Sequence, residues 1–270
     1  MQILMVGDIV GSPGRDVFKL AVGHLKSQHR ADFVVVNAEN AAGGRGVTPS
    51  LADELFAAGA DVITLGDHTW DQKEIQSYLE RQTRIVRPAN YPPGCPGRGW
   101  TTVNSAFGPV TVVSLLGRVF MTAFDCPYRT MDALLERDIR PDGIVMVDIH
   151  AEATSEKTVM GRYLDGRVTC VAGTHTHVQT SDARVLPKGT AYITDLGMTG
   201  SRDSAIGRDL ESITRRMITG MPEAFKVAKG DVVLEGAIID VDHQSGRERA
   251  IEAVRIQTAN LKQGNGDASG

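Results

Sequence analysis

Five short apolar runs, at residues 3–6, 33–36, 62–65, 144–147 and 168–171, are each followed within a few positions by groups able to bind a metal. Their β-branched, unbroken character, rather than strict polar alternation, marks strands covered on both faces. In an open parallel sheet the carboxyl ends of the strands converge on one edge, so residues scattered along the chain can meet there. The ends in question carry Asp8, Glu39, Asn40, Asp67, His68, His150, His175 and His177. A sixth run, 192–194, stops at Asp195, which this reading leaves outside the site.

Between the runs lie segments with helical punctuation. Thr48-Pro49-Ser50 opens a helix over 51–58 and Gly59 closes it: a Thr cap, Pro in the first turn and Gly past the end satisfy the orphan backbone groups. Further helices are expected over 13–28, 71–81, 127–136 and 155–164, so strand and helix alternate and the class is α/β. Residues 232–234 with 237–239, and later 251–256, read as antiparallel strands flanking the main sheet. The Pro- and Gly-rich stretch 87–99 reads as a long surface loop, and the polar, Gly-rich stretch 258–270 as a flexible tail. A chain of 270 residues can bury its core as one domain, here expected over 1–257.

Several function classes are disfavoured. No stretch approaches the ~18 consecutive apolar residues of a membrane span, and a strand opens the chain without a charged leader, so a cytoplasmic protein is expected. Cys95, Cys126 and Cys170 are odd in number and lack Cys-x-x-Cys spacing, as expected of reduced structural residues. A net charge of −4 argues against extended nucleic-acid binding but not against a small anionic substrate held by a metal. Gly7, Gly11 and Gly14 lack dinucleotide-binding spacing, and no P-loop occurs.

The most specific motif is Gly173-Thr174-His175-Thr176-His177, where a loop after a strand presents two imidazoles that can reach two neighbouring metals. Singly, the other residues have plain alternatives: a core histidine for His150, a helix cap for Asp8 or Asp67, a surface turn for Glu39 and Asn40. Their joint occurrence at successive strand ends favours a metal site. Imidazole with carboxylate and amide oxygen, and no thiolate, suits iron, manganese or zinc. Arg15, Arg45 and Arg162 could contact a substrate phosphate, although solvation at the surface is the simpler expectation for each.

In order, the chain offers Gly7-Asp8-Ile9-Val10-Gly11, Asn37-Ala38-Glu39-Asn40, Gly66-Asp67-His68, Asp148-Ile149-His150-Ala151-Glu152, the His175/His177 motif and Thr194-Asp195-Leu196-Gly197-Met198-Thr199-Gly200. This succession resembles the calcineurin-like metallophosphoesterase superfamily and, within it, the YmdB-like branch. The resemblance implies a layered α/β sandwich with its metal site at the strand carboxyl ends. It also implies two metal ions, iron or manganese before zinc, with Glu39 bridging them. Asp8, Asn40 and His177 would hold the first ion, Asp67, His150 and His175 the second, and His68 would act as the acid near the leaving group. Hydrolysis of 2′,3′-cyclic nucleotides or related small phosphodiesters is the implied activity, with a homo-oligomer allowed; the alternative is a metal-containing nucleotide-binding regulator with little or no catalysis. This sequence departs from the superfamily pattern at Val10, where a histidine is common, and at Asp67, where asparagine is usual. Two ions ~3.5–4 Å apart can lower the pKa of a shared water toward ~7, and an extra carboxylate would weaken that pull.

Overall fold

The structure, a computed structural model, describes residues 1–140, 143–242 and 247–257, and at 247 and 248 the backbone alone. The tail expected over 258–270 lies outside the described residues. The first half runs through β1 (Gln2–Val6), β2 (Asp8–Ile9), α1 (Gly11–Ser27), β3 (Phe33–Asn37), α2 (Pro49–Ala57), β4 (Val62–Thr64), α3 (Ile75–Arg81) and β5 (Ile85–Val86). A hairpin of β6 (Trp100–Ser105) and β7 (Gly108–Leu116) follows. Then come α4 (Pro127–Arg137), β8 (Ile144–His150), α5 (Thr154–Tyr163), β9 (Cys170–Thr174), β10 (Arg184–Val185) and β11 (Ala191–Ile193). The last elements are β12 (Met198–Ser201), α6 (Leu210–Thr219), β13 (Val232–Asp242) and β14 (Arg247–Gln257).

The parallel strands do not share one open sheet. They divide between an eight-stranded sheet, ordered β2-β12-β13-β1-β3-β4-β5 with β14 on β13, and a six-stranded sheet ordered β10-β11-β9-β8-β7-β6. The result is the α/β sandwich that the resemblance implied. Its cause lies in the two-residue period of a strand, which sends alternate side chains of each apolar run to opposite faces. Ile3, Met5, Phe33, Val35 and Val62 meet Val110, Val112, Ile144, Met146 and Cys170 between the sheets. Leu4, Val6, Val34, Val36 and Ile63 pack outward with Val17, Phe18, Leu55 and Leu79 of the first three helices. Val145, Val147 and Val171 do the same with Met131 of α4 and Met160 of α5. Each such side chain contributes about 1.5–3 kcal/mol of burial. A run buried on both faces does not reveal whether its cover is helix or sheet, which is why two sheets could be taken for one.

Local signals mark several boundaries. Thr48 Oγ1 accepts the Leu51 N–H at 3.3 Å, Pro49 opens α2, and Gly59 adopts φ +110° beyond it. The third helix starts at Ile75 rather than at Asp71, whose carboxylate is instead 2.9 Å from His68 Nδ1. The longest correction concerns β13, which does not flank the sheet but lies inside it, antiparallel to β1 and β12 on one side, with Val6 opposite Gly236, and to β14 on the other; of the two expected flanking strands only β14 is peripheral. The 87–99 loop is likewise not wholly superficial. Arg87 and Tyr91 are buried, and the Arg87 guanidinium donates to the carbonyls of Pro88, Pro96 and Cys95 at 2.8, 3.1 and 3.2 Å. The β6–β7 hairpin and α6 were not anticipated; strand β6, at the sheet edge, buries only Thr101, and α6 buries only Ser212.

Candidate metal centre

The carboxyl ends of β1, β3 and β4 from one sheet and of β8 and β9 from the other meet at one edge, bringing together all eight residues expected there. His150 Nε2 lies 3.0 Å from Glu39 Oε1, 3.0 Å from Asp67 Oδ1 and 2.9 Å from His175 Nδ1. Asp67 Oδ1 is also 3.3 Å from His175 Nδ1. One ligand atom from each of Glu39, Asp67, His150 and His175 falls within 4.8 Å of the others. A single N–H on His150 cannot serve three such partners, whereas a cation among two carboxylates and two imidazoles can. The approach requires Gly66, where a Cβ would collide with His150 Cδ2 and Glu39 Oε2.

Asp8 supplies a second sign of a cation. Its side chain is fully buried; Oδ2 accepts the His175 N–H at 3.1 Å, but Oδ1 has no hydrogen-bond partner among the described residues. That oxygen is 3.7 Å from His177 Nε2 and 3.9 Å from His150 Nδ1. An unsatisfied buried carboxylate oxygen costs about 1–3 kcal/mol or more, so the donor set fits a metal that would satisfy it. His177 Nε2 is in turn 3.3 Å from Asn40 Oδ1, and its Nδ1 is 3.0 Å from the Ile206 carbonyl oxygen. His175 and His177 therefore diverge, one toward His150 and Asp67, the other toward Asp8 and Asn40. Both sit at positive φ, 97° and 63°, which non-glycine residues adopt at a cost of about 1–3 kcal/mol.

The charges are strongly coupled. Burial, reinforced by Glu39 and Asp195, pushes the Asp8 carboxyl up to about 7 against the pull of His150. Burial also acts against ionisation of Glu39 and Asp67, yet the imidazoles outweigh it and hold both below their ordinary values. For His150, burial disfavours the cation, but Glu39, Asp67 and Asp8 raise its pKa well above 6.5. His177 is lowered, chiefly by burial.

A buried layer behind the candidate ligands orients them. Asp148 accepts from Thr64 Oγ1 at 2.5 Å, Thr174 Oγ1 at 2.6 Å and Asn37 Nδ2 at 3.1 Å, and Thr174 Oγ1 lies 2.9 Å from His150 Nδ1. Asn37, Asp148, Thr174 and Asp195 were not singled out as site residues, although an aspartate inside an otherwise apolar strand was a readable signal. Near His68, whose backbone N–H donates to Glu39 Oε2 at 3.0 Å, lies a cavity of ≈ 240 Å³. Val10, Glu39, Asn40, Glu152, His175, His177, Arg208 and Phe225 share its lining. Arg162 is exposed, as expected, whereas Arg15 donates to the Ala41 carbonyl at 2.7 Å and fixes the loop after β3. Arg45 lies 3.7 Å from Asp71.

A sequence model of YmdB-like proteins matches residues 4–254 of this chain. The chain belongs to the YmdB-like family. Among curated YmdB-like relatives, a protein of Bacillus subtilis (strain 168) named 2′,3′-cyclic-nucleotide 2′-phosphodiesterase is 47% identical over 256 residues, which cover 95% of this chain and 97% of the relative. A crystal structure of a hypothetical protein from Thermus thermophilus superposes with a TM-score of 0.90 at 41% identity, over 95% of this chain and 99% of that one. A structure described as a novel phosphatase from Mycoplasma pneumoniae gives 0.89 at 35% identity, over 95% and 93%. Among the described residues, no helix is long and apolar enough to cross a membrane.

Proposed function

We propose that this YmdB-like chain is a metal-dependent phosphodiesterase acting on 2′,3′-cyclic nucleotides or related small phosphodiesters. The observation that carries the reading is the convergence of Glu39, Asp67, His150 and His175 within 4.8 Å beside a buried, unsatisfied Asp8 oxygen. The name of the Bacillus subtilis relative supports the substrate class. Glu39 would bridge two ions, Asp8, Asn40 and His177 holding one and Asp67, His150 and His175 the other; the divergence of the two loop imidazoles supports that division. Iron or manganese suits the ligand set, with zinc possible. Neither sheet carries the cluster alone, which supports reading residues 1–257 as one domain.

Such ions, when bound, supply Lewis acidity toward a phosphoryl oxygen and a water acidic enough to ionise near neutral pH. The residues of the chain do the rest. Glu39 and Asp8, buried and fixed by the N–H groups of His68 and His175, hold negative charge in place without reorganisation. His68 Nδ1 is occupied by Asp71 at 2.9 Å, which leaves Nε2 to carry a proton to the departing oxygen at the cavity wall.

The test is hydrolysis of bis-p-nitrophenyl phosphate and 2′,3′-cyclic AMP before and after chelation. Turnover that is lost with the metal and restored by manganese or iron is the expected result. Cyclic-nucleotide binding without turnover by the metal-replete protein would overturn the reading in favour of a nucleotide-binding regulator, which the extra negative charge of Asp67 favours.

A further inference from the structure

The cavity beside the metal cluster has a cationic wall. Arg208 and Phe225 line it together with Glu39, Asn40, His68, His175 and His177. The Arg208 guanidinium carbon sits 3.9 Å from the centroid of the Phe225 ring, and its side chain makes no hydrogen bond or ion pair among the described residues. Arg15, partly buried like Arg208, is bound to the Ala41 carbonyl and Glu54, whereas Arg84, also partly buried, is stacked on Phe56 away from the cavity. Arg208 is stacked at the cavity itself, with its planar fork of donors unspent. Stacking on an aromatic face holds a guanidinium in one orientation while leaving its N–H groups free for a planar, two-pronged acceptor.

The backbone beneath Arg208 is fixed. Ala205 and Arg208 exchange hydrogen bonds at 2.9 and 3.0 Å, Ser204 Oγ accepts the Gly207 N–H at 2.8 Å, and Ala228 N–H donates to the Gly207 carbonyl at 2.9 Å. The same turn presents the Ile206 carbonyl to His177 Nδ1 at 3.0 Å, so Arg208 and a metal-binding imidazole share one rigid segment. Phe225 also packs closely against Gly44, where φ is +91° and a Cβ would collide with Phe225 Cε1. Burial and the like charges of Arg45 and Arg216 lower the pKa of Arg208 from 12.5, a cost that an anion beside it would relieve.

We propose that Arg208 grips the non-bridging oxygens of the substrate phosphate, and that Phe225 and Gly44 are positioning residues that hold it at the cavity. This rests on the phosphodiesterase reading, and it specifies how that site takes an anionic phosphate amid a cluster of carboxylates. Guanidinium–phosphate pairs are bidentate and charge-assisted, so removing the fork weakens binding on the order of 10- to 100-fold.

The test uses the metal-loaded full chain and its variants Arg208→Met, Arg208→Lys, Phe225→Leu and Phe225→Trp. Three quantities are read: metal per chain, the Kd for inorganic phosphate by calorimetry, and KM and kcat for bis-p-nitrophenyl phosphate. Arg208→Met is expected to leave the metal content unchanged while raising the phosphate Kd and KM by about 10- to 100-fold. Arg208→Lys recovers only part, because a point charge lacks the fork. Phe225→Leu raises KM more than it lowers kcat, and Phe225→Trp restores it. A phosphate Kd and KM within about twofold of wild type in Arg208→Met overturns the proposal. The two readings fail separately. Phosphate bound through Arg208 without diester turnover sinks the catalytic reading alone, and diester turnover with an unchanged KM in Arg208→Met sinks the anchor alone.

Discussion

Lys157 donates to Asp195 across 2.6 Å with both side chains buried, and the same carboxylate oxygen accepts the backbone N–H and the hydroxyl of Thr176 at 3.2 and 2.7 Å. Thr176 stands between His175 and His177. The pair thus braces the left-handed turn that aims the two imidazoles apart, and its hydrogen bonds offset the strain of two histidines at positive φ.

Lys157→Met therefore leaves a buried carboxylate without its cation. Breaking such a pair costs about 3–5 kcal/mol, so the urea midpoint should fall sharply. A loss below about 1 kcal/mol would show that the pair does not brace the turn.

His68 contacts the cluster through its backbone, not through its ring nitrogens. His68→Ala should accordingly bind metal normally yet lose turnover by about 10²- to 10⁴-fold, the scale of general-acid catalysis. Near-wild-type rates with a diester would remove it from the mechanism.

Asp67 takes both His150 and His175 at its Oδ1 and stands where an amide is usual in the superfamily. Asp67→Asn keeps an oxygen for the metal but removes a negative charge, so the variant should retain metal and turn over faster than wild type. A variant stripped of both ions would contradict this.

The buried charges also set a pH dependence. Between 3.8 and about 7 the metal-free folded chain holds a proton on Asp8 that the unfolded chain has released, so its stability falls as pH rises through that window. The contribution of His150, raised well above 6.5, is complete below 6.5 and is lost as pH rises through its folded value. Glu39 and Asp67, both lowered, contribute stability that is lost only at more acid pH. Bound metal takes the place of the protons, so the Tm gap between loaded and chelated protein should widen from about pH 6 to about pH 8. A constant gap in paired thermal melts would contradict the assignment.

Much of the candidate site was legible because residues able to bind a metal at the ends of buried strands leave a positional signature: Asp8, Glu39, Asp67, His150 and His175 each follow an apolar run by a few residues. Asp195 follows one too, yet its role depends on Lys157, a helical residue with no sequence mark of burial. Arg208 and Phe225 lie in irregular chain near α6, where no periodicity points inward, and only folding brings them to the cavity. The division into two sheets, which the resemblance implied, was hidden in the residue pattern itself for a different reason. Strands such as β1 and β8 are buried on both faces, so their composition carries no information about which face meets a helix and which meets another sheet.

The central claim is that Glu39 lies between two metal ions. Crystals of protein purified without added metal, measured on both sides of the iron and manganese absorption edges, test it most directly. The account predicts two anomalous peaks ~3.5–4 Å apart flanking the Glu39 carboxylate, both lost in Glu39→Gln. A single peak, or peaks away from Glu39, would contradict it.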